Sequence, residues 1–359
     1  MIRFYFFLIL SGLSLPSYAQ KVDLDRYSFT AVYLDLPRMG LDTSYRTFSI
    51  HSDYSQGVAF SIKDRQLPDM VNIPGWRKLP GHAHIVIRTR MEDVNILNSE
   101  VRERIQILKD KNGKETGKRS YYYTEVTYSF AAEMKVNDFR GENILSNAMA
   151  SRELKRTYKT PEVGSYNEAV YFFINNVFSV TAAITNLEVD RSVNELNNML
   201  RINFGYTQRS VSDFLWILDS KKHPEYRAHL QAFNAFKQAM FRMRADQPLD
   251  EVEMMLKPVI SYFERMKKRY NSDSKADRKM RYASYYNLAK IYYYLDQPDA
   301  SMNEAGELMI NDYDEKDGRG LEAAAADLKL LLDINKTHTR HFMLDTERFE
   351  GPGIVDSGY

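Results

Sequence analysis

A chain of 359 residues, 44% of them hydrophobic and with a formal net charge of +1, has ample apolar material for a core. It has no global charge excess that would recruit nucleic acid or an anionic membrane, so neither is expected as a partner. It contains no cysteine, which excludes thiol catalysis and a disulfide framework.

The N-terminus has the layout of an export signal over residues 1–19. Arg3 supplies the charge, residues 4–15 the apolar stretch, and Ser17-Tyr18-Ala19 a small-x-small cleavage site. The apolar stretch is shorter than the roughly 20 residues that span a bilayer. No cysteine follows the cleavage site, so the lipid-anchored route is closed. An exported chain without disulfides points to a bacterial protein, expected in the periplasm, associated with the outer membrane, or secreted.

Residues 20–160 read as an antiparallel β-sandwich-like domain. Runs at 29–36 and 58–62 are predicted strands. Ile85, Ile87, Thr89 and Met91 alternate with His84, Val86, Arg88 and Arg90, which predicts a strand with one face in the core. Val101, Glu103, Ile105 and Ile107 form a second alternating run, and Tyr122, Thr124, Val126, Tyr128 and Phe130 a third. Between them Asn112-Gly113 supplies the positive backbone angles of a turn, predicting a long hairpin. His82 and His84 lie two apart and could chelate a metal, but no third ligand accompanies them. His338 and His341 are in the same position, and no metal or cofactor is expected.

The pattern changes at Thr160-Pro161-Glu162-Val163-Gly164, and Ser165 with Glu168 forms a capping box. Residues 161–335 then read as helical throughout, including the run 212–218 with Phe214, Leu215, Trp216 and Ile217. The stretch 169–187 carries no formal charge. Asn175 and Asn176 at its middle and acidic flanks argue for a buried helix rather than a transmembrane span, and no span is expected after signal cleavage. Helices follow at about 225–245, 250–270, 276–295, 299–311 and 321–334. Asp-Gln-Pro occurs at Asp246-Gln247-Pro248 and again at Asp296-Gln297-Pro298, and each proline suits the first turn of the next helix. The tail, 336–359, is expected to fold back in part through Phe342, Met343, Leu344 and Phe349.

Around the second Asp-Gln-Pro, Tyr285-Tyr286-Asn287-Leu288-Ala289-Lys290-Ile291-Tyr292 resembles the first helix of a tetratricopeptide hairpin, with Ala300 and Ala305 near its second-helix small positions. The first copy departs from that motif, with Gln238 and Arg242 where Leu and Tyr belong, and the two copies are 50 residues apart rather than about 34. The resemblance covers roughly 225–335. It implies a stack of helix pairs with a ligand-binding groove and no catalytic residue. The whole layout also resembles uncharacterised exported envelope proteins of Bacteroidota. The fold class expected is therefore α+β in two domains, the β-sandwich followed by an α-helical tetratricopeptide-like array.

Partner-binding candidates are Tyr285, Tyr292, Tyr293 and Tyr294, whose rings offer apolar area with a polar tip. The basic elbow at 265–281 adds Lys267, Lys268, Arg269, Arg278 and Lys279, suited to an acidic partner or glycan. Core packing for the tyrosines and a solvated surface for the elbow are the plainer alternatives. No phosphate-cradling Gly loop, His-Glu-x-x-His or Gly-x-Ser-x-Gly is present in the mature chain. The expected function is a non-catalytic exported adaptor holding a protein or peptide of the cell envelope. A carbohydrate- or anion-binding envelope protein is the alternative, and an envelope-polymer hydrolase the third reading.

Overall fold

The computed structural model describes residues 21–353; the export signal expected at 1–19 lies outside them. In chain order the strands are β1 (Leu24–Asp35), β2 (Thr47–Tyr54), β3 (Arg77–Lys78), β4 (Ile85–Met91), β5 (Asn95–Lys109), β6 (Glu115–Ser129), β7 (Ala132–Asp138), β8 (Asn143–Ala150), β9 (Arg156–Lys159) and β10 (Thr207–Leu218). The helices are α1 (Gln56–Ser61), α2 (Tyr166–Phe204), α3 (Tyr226–Arg242), α4 (Asp250–Arg269), α5 (Lys275–Tyr294), α6 (Pro298–Ile310) and α7 (Glu315–Ile334). The fold is α+β, with strands dominating the N-terminal half and helices the C-terminal half. Two compact units result: a strand-rich one of residues 34–209 and 331–353, and a helical one of residues 21–33 and 210–330.

The strand-rich unit holds a five-stranded sheet of order β3-β2-β4-β7-β8 and a three-stranded sheet of order β5-β6-β9. β4 follows its sequence pattern, burying Ile85, Ile87, Thr89 and Met91 and exposing Arg88 and Arg90. β2 pairs in parallel with both β3 and β4, not antiparallel as expected, while β4–β7 and β7–β8 are antiparallel. A parallel pair needs a crossover, and α1 lies in the one joining β2 to β3 and β4. The run 58–62 belongs to that helix and its end rather than to a strand. The long hairpin is present: Asp110 Oδ1 accepts from the N–H groups of Asn112 and Lys114, and Gly113 takes φ +81°.

α2 opens as the capping box requires, Ser165 Oγ accepting from Glu168 N–H at 3.3 Å; the Glu168 carboxylate accepts from Gly164 N–H. The stretch 169–187 is helical on either side of a kink at Asn176 and largely uncovered, a correction to the buried helix expected. Tyr171, Ile174 and Phe178 are exposed, and after Ala169 the next buried positions are Val180 and Ile184. Val180 and Ile184 pack on Val126 and Tyr128 of β6. Below them Glu188, whose side chain is wholly buried, accepts from Tyr128 Oη at 2.7 Å and pairs with Arg191 at 2.6 Å and with Arg156. Burial, then the hydrogen bond to Glu188, pushes the Tyr128 hydroxyl up to about 12. The tail docks on this unit: Arg340 C=O accepts from Leu34 N–H, Phe342 meets Tyr206 edge-on, and Arg77 donates to the carbonyls of Glu347 and Phe349.

In the helical unit α3 packs on α4, α4 on α5 and α5 on α6. Gly318 lets α7 approach α6 closely, since a Cβ there would sit 2.5 Å from Met309 Cγ. Pro298 occupies the first turn of α6, as its missing N–H allows. Pro248 instead lies outside α4, whose N-cap is Leu249. The run 212–218 is strand, not helix. β10 forms a two-stranded sheet with β1, and Leu215 and Ile217 enter the core with Phe29, Phe233, Phe236 and Phe263.

The Glu188 cluster predicts an asymmetry. Arg156→Met with Arg191→Met strands a buried carboxylate and should cost about 3–5 kcal/mol. Glu188→Gln leaves two arginines that reach water and should cost only about 1–2 kcal/mol. Urea unfolding of the two variants decides, and equal losses would show that no buried charge is being held there.

Candidate functional site

Ser274 caps α5 by accepting from Asp277 N–H at 3.1 Å, and the helix then runs 20 residues without Gly or Pro. Asn287, Lys290 and Tyr294, three and four residues apart, share one face. That face is already engaged with β10. Asn287, wholly buried, accepts from Trp216 N–H at 2.9 Å and donates to Trp216 C=O at 2.8 Å. Lys290 Nζ and Tyr294 Oη each reach Asp213 Oδ2 at 2.6 Å. Two residues beyond Trp216, Leu218 N–H donates to His229 Nδ1 of α3 at 2.7 Å. A residue's N–H and C=O leave a strand on the same side, so these contacts run along the edge of β10 that faces away from β1.

Aromatic side chains complete the seat. Phe214 stacks on Tyr286 with centroids 5.6 Å apart, Trp216 meets Tyr282 and Tyr286, and Arg26 of β1 lies over both Phe214 and Trp216. Phe29 meets Phe236 and Tyr294 edge-on. The helices thus hold an extended strand of their own chain by backbone clamping and ring stacking.

The candidate residues divide accordingly. Tyr294 is buried at this seat, where burial and Asp213 raise its hydroxyl's pKa. Tyr292 and Tyr293 are half-buried against the same core. Tyr285 turns to the other side of α5, where Lys267 Nζ lies 5.1 Å from its ring centre. Lys267 is engaged with Glu304 at 2.8 Å and Glu264 at 2.9 Å; burial would lower its pKa, but these carboxylates leave it raised. Arg269 pairs with Glu225 at 2.6 Å and Arg278 with Asp312 at 3.1 Å. Lys268 and Lys279 form no ion pair among the described residues. The elbow is therefore mostly bonded within the fold, with Lys268 exposed and Lys279 half-exposed. His84, buried, is hydrogen-bonded to Thr47 Oγ1 at 2.8 Å, and burial lowers its pKa.

A surface that sequence reasoning missed lies on α3. Phe241 is 88% exposed, in a groove shared with Lys237, Gln238, Arg242 and Met255 of α4. Its signal was available: Gln238 and Arg242 are the two positions where the segment before the first Asp-Gln-Pro departs from the resemblance noted in the sequence, and both sit in this groove. No protein-family model and no curated protein matches the chain.

The clamp yields two expectations. Asn287→Asp keeps an acceptor for Trp216 N–H but sets a carboxylate oxygen against its carbonyl, so it should destabilise as much as Asn287→Ala, about 2–4 kcal/mol by chemical denaturation. Burial drives the His229 imidazole down to about 3. A His lowered in the folded state contributes stability in full above its unfolded pKa near 6.5 and loses it as pH falls towards the folded value. Stability should therefore fall by about 1.4 kcal/mol per pH unit below about 6.5 from this group. Urea midpoints of the wild type and His229→Leu at pH 7 and pH 5 measure it; identical pH slopes would refute a neutral, buried His229.

Proposed function

We propose that the protein is a non-catalytic exported adaptor whose helical unit, a tetratricopeptide-like array, binds a protein or peptide segment of the cell envelope. The observation that carries this reading is the groove on α3, where an almost fully exposed Phe241 lies beside Met255 with Lys237 and Arg242 in the same lining. An isolated exposed aromatic ring is unremarkable, but one set among apolar and cationic neighbours in a concave surface has the composition of a binding hot spot. The ligand it suits is a peptide with an apolar anchor and flanking carboxylates. The seat of β10 lends support, because α5 of the same unit already holds an extended segment by its backbone and rings. The strand-rich unit, read as a sandwich, would dock to a second envelope component.

The alternative, binding of an acidic glycan or other anion, is favoured by Lys268 and Lys279 of the elbow, two of the cations there that form no ion pair among the described residues. Peptide display on the purified protein, followed by calorimetry, separates the two. Selected peptides should be acidic with an aromatic or aliphatic anchor, and both Phe241→Asp and Lys237→Glu should weaken them at least about tenfold, or 1.4 kcal/mol. Failure to select any peptide, with glycan-array binding that Lys268→Glu plus Lys279→Glu abolishes, would transfer the function to the elbow. Turnover of a peptidoglycan or polysaccharide panel would sink the adaptor reading.

A further inference from the structure

The three-stranded sheet of the strand-rich unit leaves β5 as an edge for all 15 of its residues. Among the described residues no backbone group outside β6 pairs with it. Proteins ordinarily keep edges short, covered or kinked, because unpaired N–H and C=O groups recruit other strands. β5 is long, and the irregularities in its pairing lie only near its two ends, between Ile96 and Asn98 and between Leu108 and Lys109. It is also apolar where it has no reason to be. Ile105 and Ile107 are 55% and 46% exposed on the far part of the hairpin, with no core of their own.

These side chains fall on a definite face. Val101 pairs with Thr124, Ile105 with Ser120 and Ile107 with Lys118, so all share the side from which Thr124 Oγ1 donates to Ala169 C=O of α2. Alongside β5 on that side runs a cleft of about 500 Å³ lined by Ser99, Val101, Tyr166, Val170, Phe173 and Ile174. An edge of unpaired backbone groups beside an apolar helix face is complementary to an extended strand with apolar residues on one side.

We propose that this edge pairs with β5 of a second copy of the chain, antiparallel about a two-fold axis, giving one sheet with three strands from each copy. The charge order of β5 selects itself as partner. With Val101 on the axis, Glu100 of each copy stands opposite Arg102 of the other, so two opposite-charge pairs flank the centre. Within one chain Arg102 already reaches Glu100 and Glu125, so the new pairs extend a balanced network and strand no charge. Beyond the axis, Ile105 and Ile107 of one copy run beside the start of β5 in the other, on the face that carries Phe173 and Ile174. Each copy then covers the apolar surface that the other leaves wet.

The cysteine-free chain gives a clean test. Light scattering on the full mature protein, up to about 100 µM, should show a dimer. Val101→Cys should be joined to its own copy by a short bis-maleimide, whereas Glu251→Cys, exposed on α4, should not. Ile105→Lys with Ile107→Lys, which removes no core contact, should weaken the dimer at least tenfold with an unchanged thermal melt. A monomer throughout that range overturns the proposal. So does a dimer that is indifferent to the lysine pair and fails to cross-link at Val101. A monomer whose β5 edge instead binds an added peptide strand assigns that edge to a foreign protein and also overturns it.

Discussion

The helical unit depends on one side chain meeting one backbone residue. Asn287 closes both hydrogen bonds on Trp216, and without it the buried outer edge of β10 would carry an unpaired N–H and C=O among the helices. A two-stranded sheet is marginal by itself, and β1–β10 has no third strand among the described residues. The amide of Asn supplies one donor and one acceptor in the spacing of a neighbouring strand, so α5 substitutes for that strand. Lys290, Tyr294 and His229 complete the edge on either side. Because these groups are charged or bear polar tips, the ring stacking of Phe214 and Trp216 has to exclude water around them, which strengthens each hydrogen bond.

A seat of this kind changes what the tyrosine cluster means. Three consecutive tyrosines on a helix point about 100° apart and cannot all serve one surface. Tyr294 goes to β10, Tyr292 and Tyr293 brace the core, and Tyr285 lies over Lys267. Lys267 in turn is held by two glutamates, so the charge that looked available for a partner neutralises Glu304 between helices. Phe241 on α3, by contrast, is left almost fully exposed.

Legibility in the sequence tracked how many faces of an element are buried. β4, with one face in the core, showed a clean two-residue period, and the helices from 226 onward showed their longer period. Phe214-Leu215-Trp216-Ile217 is buried to some degree on both faces, so its apolar run has no period and sits between helices that suggest another helix. Val58 was misread because a short helix with one buried residue leaves too little pattern to separate it from a strand. The stretch 169–187 was judged by composition, which cannot tell a covered apolar helix from an uncovered one. Asn287 was invisible as a clamp because a lone Asn among tyrosines has the same sequence signature as a solvated one. Its role exists only once β10 is brought alongside.

Strand edges are treated differently in the two units, and the difference follows from charge. Along β10 the outer edge is buried, so its polar groups need fixed partners, and the partners come from helices rigid enough to hold an amide in register. Along β5 the edge is exposed, and water can satisfy each N–H and C=O, so no helix is required for the monomer to fold. Exposure, however, gives no reason for Ile105 and Ile107 to be aliphatic, since a ribbon that stays in water gains nothing from them and risks unspecific association. The alternation of Glu100, Arg102, Glu103 and Arg104 limits that risk, because an uncharged strand laid on it meets charges that it cannot match. The same strand reversed about Val101 matches Glu100 and Arg102, and sets Glu103 and Arg104 opposite the polar Ser99 and Asn98. Aliphatic residues that invite pairing, placed next to charges that restrict it, are mutually consistent only where the permitted partner is specific.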